Sequence, residues 1–534
     1  MIFNPCLKSR KLAARSPKHE KRTRRFGVRG LLLIAGTFVG AGIVCGCFSG
    51  DPVKAAYEIN RLPQVYPDYT EIMIPPNIAP LNFLIMEKGK RFFVRIRGLQ
   101  GRPIEIKSAG PSIGIPPKQW RLLLNGNKNG PLFFDIYVFD GTAWNRFRTF
   151  ADSVAAQPVD PFLVYRKINV CVRWMNMGIF ERRLEDFSER PLLSTNDIPG
   201  MCMNCHSFRH NDPRDMILQI RGTTLGTPML ISGPGGGINA INTKTPYCSG
   251  KAGFTAWHPE KNIIAFSINS FTMLYHTAAQ ELRDVFDRSA DLALYIADAG
   301  QVISNAGIAD TQRMESWPEW TPDGNYLYFC SAPQVARDQY EKVRCDLMRI
   351  PYTCSTGAWG RPDTVATAEK AGGSITQPRF SPDGRYCMFT VSQYSDFPIH
   401  QARSSLYMMS MKSGEIRKLE ISGDYCDAWH CWSSNSRWVA FTSKRMDGRF
   451  ARPFFSYIDE NGRAHKAFVL PQRDPAYYRS LILSYNVPEL ITGPVKISRK
   501  QFVSALKAKN RKTVVDGATK ATASPSPAQP DEIE

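Results

Sequence analysis

The chain has 534 residues, with 68 Lys and Arg against 48 Asp and Glu, a formal charge of +20. Its 43% hydrophobic and 11% aromatic content excludes a mostly disordered chain and a polytopic membrane protein, and the length provides for two to four domains. A positive charge of this size first suggests nucleic acid or an anionic surface, so its placement matters: ten basic residues, Lys8 to Arg29, fall in residues 1–29 against one acid, Glu20.

That basic flank precedes GLLLIAGTFVGAGIVCGCFSG (30–50), which carries no ionisable acid or base. About 20 apolar residues suit a bilayer core, and a basic flank before them keeps the N-terminus cytoplasmic. The segment reads as a cleaved signal, a retained anchor or a lipoprotein signal. Val44-Cys45-Gly46-Cys47 resembles a bacterial lipobox ending at Cys47, with Cys45 departing from that pattern. Each reading exports the residues after 50 to the cell envelope, and the anchor and lipoprotein readings also tether them to a membrane. The exported body has no basic run interleaved with aromatics, so nucleic acid is not expected as a partner. Of the thirteen cysteines, Cys330 ends one strand-like run and Cys345 begins the next. In an oxidising compartment these two are expected to face each other across a hairpin.

Residues 57–152 alternate as short strands, FFVRIRG (92–98) and LFFDIYVFDG (132–141), with turn residues between them. This predicts a β-sandwich. Residues 153–215 read as a connector, with a short helix over IFERRLEDF (179–187). From 216 to 500 the chain repeats. AWHPEKNIIAFS (256–267), EWTPDGNYLYFC (319–330), RFSPDGRYCMFT (379–390) and CWSSNSRWVAFT (431–442) place an aromatic at Trp257, Trp320, Phe380 and Trp432, at intervals of 63, 60 and 52. Each is followed by a polar turn, an apolar strand and a second hairpin, which predicts a five- or six-bladed β-propeller. MLISGPGGGINAINT (229–243) is expected to supply strands of a further blade, and ILSYNVPELITGPVKIS (482–498) to close the ring. Residues 501–534, rich in Ala, Ser, Pro and Lys, read as a disordered tail. The expected class is therefore all-β: sandwich, connector, propeller.

One motif in the connector carries chemistry. Cys202-Met203-Asn204-Cys205-His206 has the C-x-x-C-H spacing of covalent c-type haem attachment. Two thiols reach the vinyl groups on one porphyrin edge, and the next residue supplies an axial imidazole. A redox disulfide and a zinc half-site are the competing readings. Zinc needs about four ligands, and no second C-x-x-C exists; a thioredoxin-like pair needs a βαβ unit. One haem c is thus the expected cofactor, with Cys202 and Cys205 as thioethers and His206 as the proximal ligand. The haem is expected on a loop before the propeller. For the distal position His276 ranks first, in the long second-to-third-strand loop of a blade. Met273, Met216 and His210 follow, and His258 ranks lower.

The repeats resemble the TolB-like, WD40-like propeller repeats, whose signature is an aromatic followed by Ser-Pro-Asp-Gly. It stands complete at Phe380-Ser381-Pro382-Asp383-Gly384, as Trp320-Thr321-Pro322-Asp323-Gly324, and in degenerate form after Trp257 and Trp432. The signature aspartates read as turn formers rather than catalysts. The wider stretch, through Asp160-Pro161-Phe162, Cys202 to Phe208, Trp257-His258-Pro259 and Trp432 to Trp438, resembles bacterial envelope proteins that join one haem motif to such a propeller. The resemblance implies single-electron transfer or redox sensing, with the propeller docking a redox or envelope protein partner. A non-catalytic protein- or glycan-binding propeller with structural haem is the second reading, and a haem peroxidase-like enzyme the third. No small-molecule substrate is identified.

Overall fold

The computed structural model describes residues 53–516, apart from 55, 171–176, 223–224, 234, 247, 249, 251, 277–280, 282 and 509–510, together with 532–533. The segment 30–50, Cys45, Cys47 and Cys171 lie outside the described residues. Among the described residues no helix is long and apolar enough to cross a membrane.

The N-terminal strands form a seven-stranded and a three-stranded sheet. Strand Arg91–Gly98 turns Phe92, Val94 and Ile96 to one face and buries Phe93 with Tyr137 and Trp144 on the other. The first three share one core with Phe83 and Ile85 of the smaller sheet and with Trp120, Leu123 and Leu124 of the helix Pro117–Gly126. The same core runs on into Trp438, Phe441 and Phe455 of the repeat region. Polar ties lie alongside: Trp438 Nε1 donates to the Gln157 carbonyl (2.9 Å) and Lys466 Nζ to the Thr70 carbonyl (2.8 Å). The sandwich is thus packed against the propeller.

Among the described residues, six further sheets carry the repeat region. Their inner strands are Met201–Phe208, Ala252–Trp257, Arg313–Trp320, Ser374–Phe380, Asp427–Trp432 and Leu483–Ile491. Each touches the next, and the last touches the first, so the sheets are blades of a closed propeller. The closing strand, Leu483–Ile491, pairs antiparallel with Phe162–Asn169, which continues through Gly178–Arg183 to Glu189–Ser194. One blade therefore takes its inner strand from the C-terminal part of the chain and its outer three from residues 162–194.

This corrects two expectations. Residues 153–215 are largely blade rather than connector. Residues 179–187 form a strand and turn rather than a helix, because Ile179 and Glu181 lie buried under neighbouring strands while Phe180 and Arg182 face the other way. The expected tail also begins too early: Arg499–Lys507 is a helix with a Ser498–Gln501 capping box that buries Phe502 and Leu506. Cys330 pairs in register with Leu347, and both Cys330 and Cys345 are free, buried thiols.

The signature turns are structural, as expected. Asp323 Oδ1 accepts from the Asn325 amide (3.1 Å) and Asp383 Oδ1 from the Arg385 amide (3.1 Å), with Gly324 and Gly384 at φ 72°. Asp160 accepts from the Ser434 amide (2.8 Å) and hydroxyl (2.6 Å), joining two of the segments that carry the family resemblance.

One blade buries an acid. Glu315 is 2% exposed, accepting from the Ser331 hydroxyl (3.0 Å) and the Asp310 amide (3.2 Å). Burial lifts its pKa from 4.5 to about 8, with Asp291 and Asp310 adding to the rise. Between these values the folded chain holds a proton that the unfolded chain has released, so stability falls as pH rises from about 5 to 8. Glu315→Gln should flatten that fall by a few kcal/mol, at ~1.4 kcal/mol per pH unit. Urea midpoints of both proteins at pH 5 and pH 8 check it, and parallel lines would refute it.

Candidate functional site

The C-x-x-C-H motif lies on an inner strand, Met201–Phe208, and not on a loop ahead of the propeller. The hydrophobic pattern explains this: Met201 and Met203 are fully buried core residues, which a loop could not satisfy. Between Met203 and His206 the pairing with Met216–Gly222 slips, so Asn204 and Cys205 oppose one residue. Consecutive strand residues normally face opposite sides. The bulge breaks that alternation, and Cys205 and His206 line the same cavity.

The same slip recurs on every inner strand, at Phe254-Thr255, Trp317-Pro318, Gln377-Pro378, Trp429-His430 and Val487-Pro488. In these five the first bulge residue has φ between 40° and 57°, a conformation rare for aromatic or β-branched residues that costs ~1–3 kcal/mol each. The bulges put Phe254, Trp317, Gln377, Trp429 and Val487 around one central cavity with Cys205. Phe254 stacks on Trp317 with centroids 3.6 Å apart, and Trp317 meets Trp429 edge-on at 5.0 Å.

One residue after four of the six bulges, at matching register, come His206, Glu319, Arg379 and Glu489, with Ala256 and Cys431 in the other two places. Arg379 hydrogen-bonds Glu489 and lies 3.9 Å from Glu319. Burial pushes the Glu319 carboxyl up to about 7 although Arg379 opposes it. Burial also raises Glu489, while the two carboxylates outweigh the burial of Arg379 and hold its charge firmly.

His206 is 1% exposed, and neither ring nitrogen has a hydrogen-bond partner. Burial drives its pKa down to about 3. The Val164 backbone opposes this, close but outside hydrogen-bond geometry, and the charges of Arg166 and Arg379 add to it. The imidazole is therefore neutral, with an uncommitted nitrogen lone pair. A buried histidine normally finds partners for its nitrogens, and this one has none within the chain. Cys202 and Cys205 are half-buried and are not joined in a disulfide; Cys202 Sγ lies 3.5 Å from Met177 Sδ and 3.3 Å from Asn204 Oδ1. Among the described residues no three of His, Cys, Asp and Glu converge to hold a bare metal ion. The donor set is two thiols not joined in a disulfide and one imidazole without a hydrogen-bond partner, beside the aromatic side chains of Phe254, Trp317 and Trp429, and its chemistry suits a c-type haem.

His276 stands just past the end of strand Ile263–Tyr275, close to Asp284, and is not among the residues lining the cavity with Cys205 and His206. His210 contacts the Pro259 carbonyl through Nε2 (2.8 Å), and His258 Nδ1 accepts from the Glu260 and Lys261 amides (3.1 and 3.0 Å). Met216 and Met273 are core residues. The cavity aromatics went unremarked in the sequence, although a signal existed. Phe254, Trp317, Gln377 and Trp429 stand three positions before the repeated aromatics Trp257, Trp320, Phe380 and Trp432.

No family model matches the chain, and no curated protein matches it. Among solved structures it is similar to TolB from Acinetobacter baumannii, at 12% identity and TM-score 0.39, covering 70% of this chain and 85% of that one. It is also similar to a putative TolB from Agrobacterium tumefaciens, at 14% identity and TM-score 0.34, covering 58% and 88%. A nidogen/laminin complex chain matches at 10% identity and TM-score 0.36, covering 62% and 98%.

Proposed function

We propose that the chain is an exported, membrane-tethered monohaem c-type protein that transfers single electrons or senses redox state, with the propeller as its docking scaffold. Cys202 and Cys205 would hold the haem through thioethers, and His206 would supply the proximal nitrogen. The observation that carries this reading is the buried, neutral, unpartnered His206 imidazole, one residue after the Cys202-x-x-Cys205 pair. Bound there, haem supplies reversible one-electron iron chemistry, tuned by axial ligand, burial and nearby charge. The chain's own residues set that environment. Phe254, Trp317 and Trp429 keep the cavity apolar, and Arg379 with its two carboxylates places compensated charge beside the imidazole. His276 is the first candidate for the second axial position. The export reading rests on the basic flank and residues 30–50.

The test is expression with periplasmic export and cytochrome maturation factors. The full chain should gain the mass of one haem, and Cys202→Ala/Cys205→Ala should lose it entirely. Low-spin, six-coordinate iron with a reversible potential supports electron transfer, and five-coordinate iron that binds small ligands supports sensing or catalysis. A chain that gains no haem under these conditions refutes the reading. Substitution of His276 that leaves the iron spectrum unchanged rejects it as the second ligand.

A further inference from the structure

A second cavity, of about 90 Å³, adjoins the first through the neighbouring residues Asn486 and Val487. Its lining combines the apolar Ile168, Ile399 and Phe450 with the cationic Arg283, Lys444 and Arg449. Lys444 is 4% exposed and pairs with Glu281 at 2.6 Å. Glu281 is the one carboxylate in the lining, so three cations meet a single acid. The Arg283 Nε is buried without a partner. His400 lies among these charges and is kept neutral by burial, with the charges of Arg283, Lys444 and Arg166 adding to the effect. Positive charge gathered in a half-buried, partly apolar pocket is costly unless an anion answers it.

The pocket is joined to the haem motif. Arg166 donates to the Met203 carbonyl (3.2 Å) and to Asn204 Oδ1 (3.1 Å), and Cys202 Sγ lies against the same Asn204 oxygen. Arg283 lies close enough to Arg166 and Cys202 to feel the charge of both. Asn486 lines the pocket, and its neighbour Val487 lines the cavity of Cys205 and His206. A carboxylate on an apolar body matches a lining that mixes apolar side chains with guanidinium forks, which take carboxylates two hydrogen bonds at a time.

We propose that this pocket receives carboxylates, and that Arg283 and Lys444 seat the propionate groups of a haem held at Cys202 and Cys205. This rests on the haem reading above. In chain carrying one haem by mass, Arg283→Gln should leave the haem attached and lower the midpoint potential. Loss of a nearby positive charge favours the ferric state, by about tenfold, or ~60 mV for a one-electron couple. Arg449→Gln, at an exposed position that does not endanger folding, should move the potential the same way by less. Arg102→Gln on the distant sandwich should not move it.

A free carboxylate is distinguished with the haem-free Cys202→Ala/Cys205→Ala chain, titrated with succinate. A rise in melting temperature that Arg283→Gln removes would assign the pocket to free carboxylates. With potentials unmoved in the loaded variants, that result overturns the propionate seat and keeps the carboxylate pocket. Unmoved potentials with no succinate response overturn both. A chain that never gains haem mass refutes the haem reading instead, and succinate alone then decides the pocket.

Discussion

A chain ending at Ile482 should show no cooperative thermal transition, whereas one ending at Ala508 should melt close to the full chain. The closing strand Leu483–Ile491 buries eight of its nine residues. Tyr485, Val487, Leu490 and Ile491 alone contribute ~6–12 kcal/mol of apolar burial, at ~1.5–3 kcal/mol each. That matches the whole stability of an ordinary domain, ~5–15 kcal/mol. Its removal also strips the ladder from Phe162–Asn169 and opens the inner ring between Asp427–Trp432 and Met201–Phe208. The shorter cut at 508 keeps the closing strand and the capped helix Arg499–Lys507. Circular dichroism melts of the two truncations decide it. Equal transitions would mean that the ring does not need its last strand.

Arg379→Met should destabilise the protein by ~3–5 kcal/mol at pH 8, the cost of leaving buried charge without its partner. Side-chain exposure is 26% for Arg379 and 7% for Glu489. Glu319 and Glu489 are already raised by burial, so without the guanidinium both take up protons readily near neutral pH. The native state of the variant then binds more protons than its unfolded state, and its stability falls with rising pH. The loss should therefore shrink to roughly half or less at pH 5. Adding Glu319→Gln and Glu489→Gln should recover most of it at pH 8. Denaturant unfolding at both pH values checks the pair; a pH-independent loss with no rescue would show that packing, and not charge, holds the centre.

The propeller was legible where its repeat is strong. Trp257, Trp320, Phe380 and Trp432 each end an inner strand; the turns after Trp320 and Phe380 are the Asp- and Gly-built turns their sequence implies, and after Trp257 the His258 ring takes the place of the aspartate. Residues 229–243 and 482–498 supply propeller strands as expected. The blade of residues 162–194 was hidden because its inner strand is supplied about three hundred residues later, so no local repeat survives there. The motif blade was hidden because its first turn, Arg209 to Pro213, carries none of the signature. The residues of the candidate site were legible as chemistry but not as geometry. Spacing marked Cys202, Cys205 and His206, while their seat on a bulged strand depends on pairing with Met216–Gly222. The ring of Glu319, Arg379 and Glu489 depends on register between blades, which no single segment encodes.

The late arrival of the closing strand sets an order of events. Until residues 483–491 dock, Met201–Phe208 has no neighbour on one side of the ring, and its two thiols and imidazole stand open to a large catalyst. Once the strand is in place, His206 is 1% exposed and Cys205 faces an aromatic interior. If Cys202 and Cys205 carry haem as proposed, its attachment would belong to the open chain, and a variant that closes its ring faster should then leave a larger fraction of molecules unmodified.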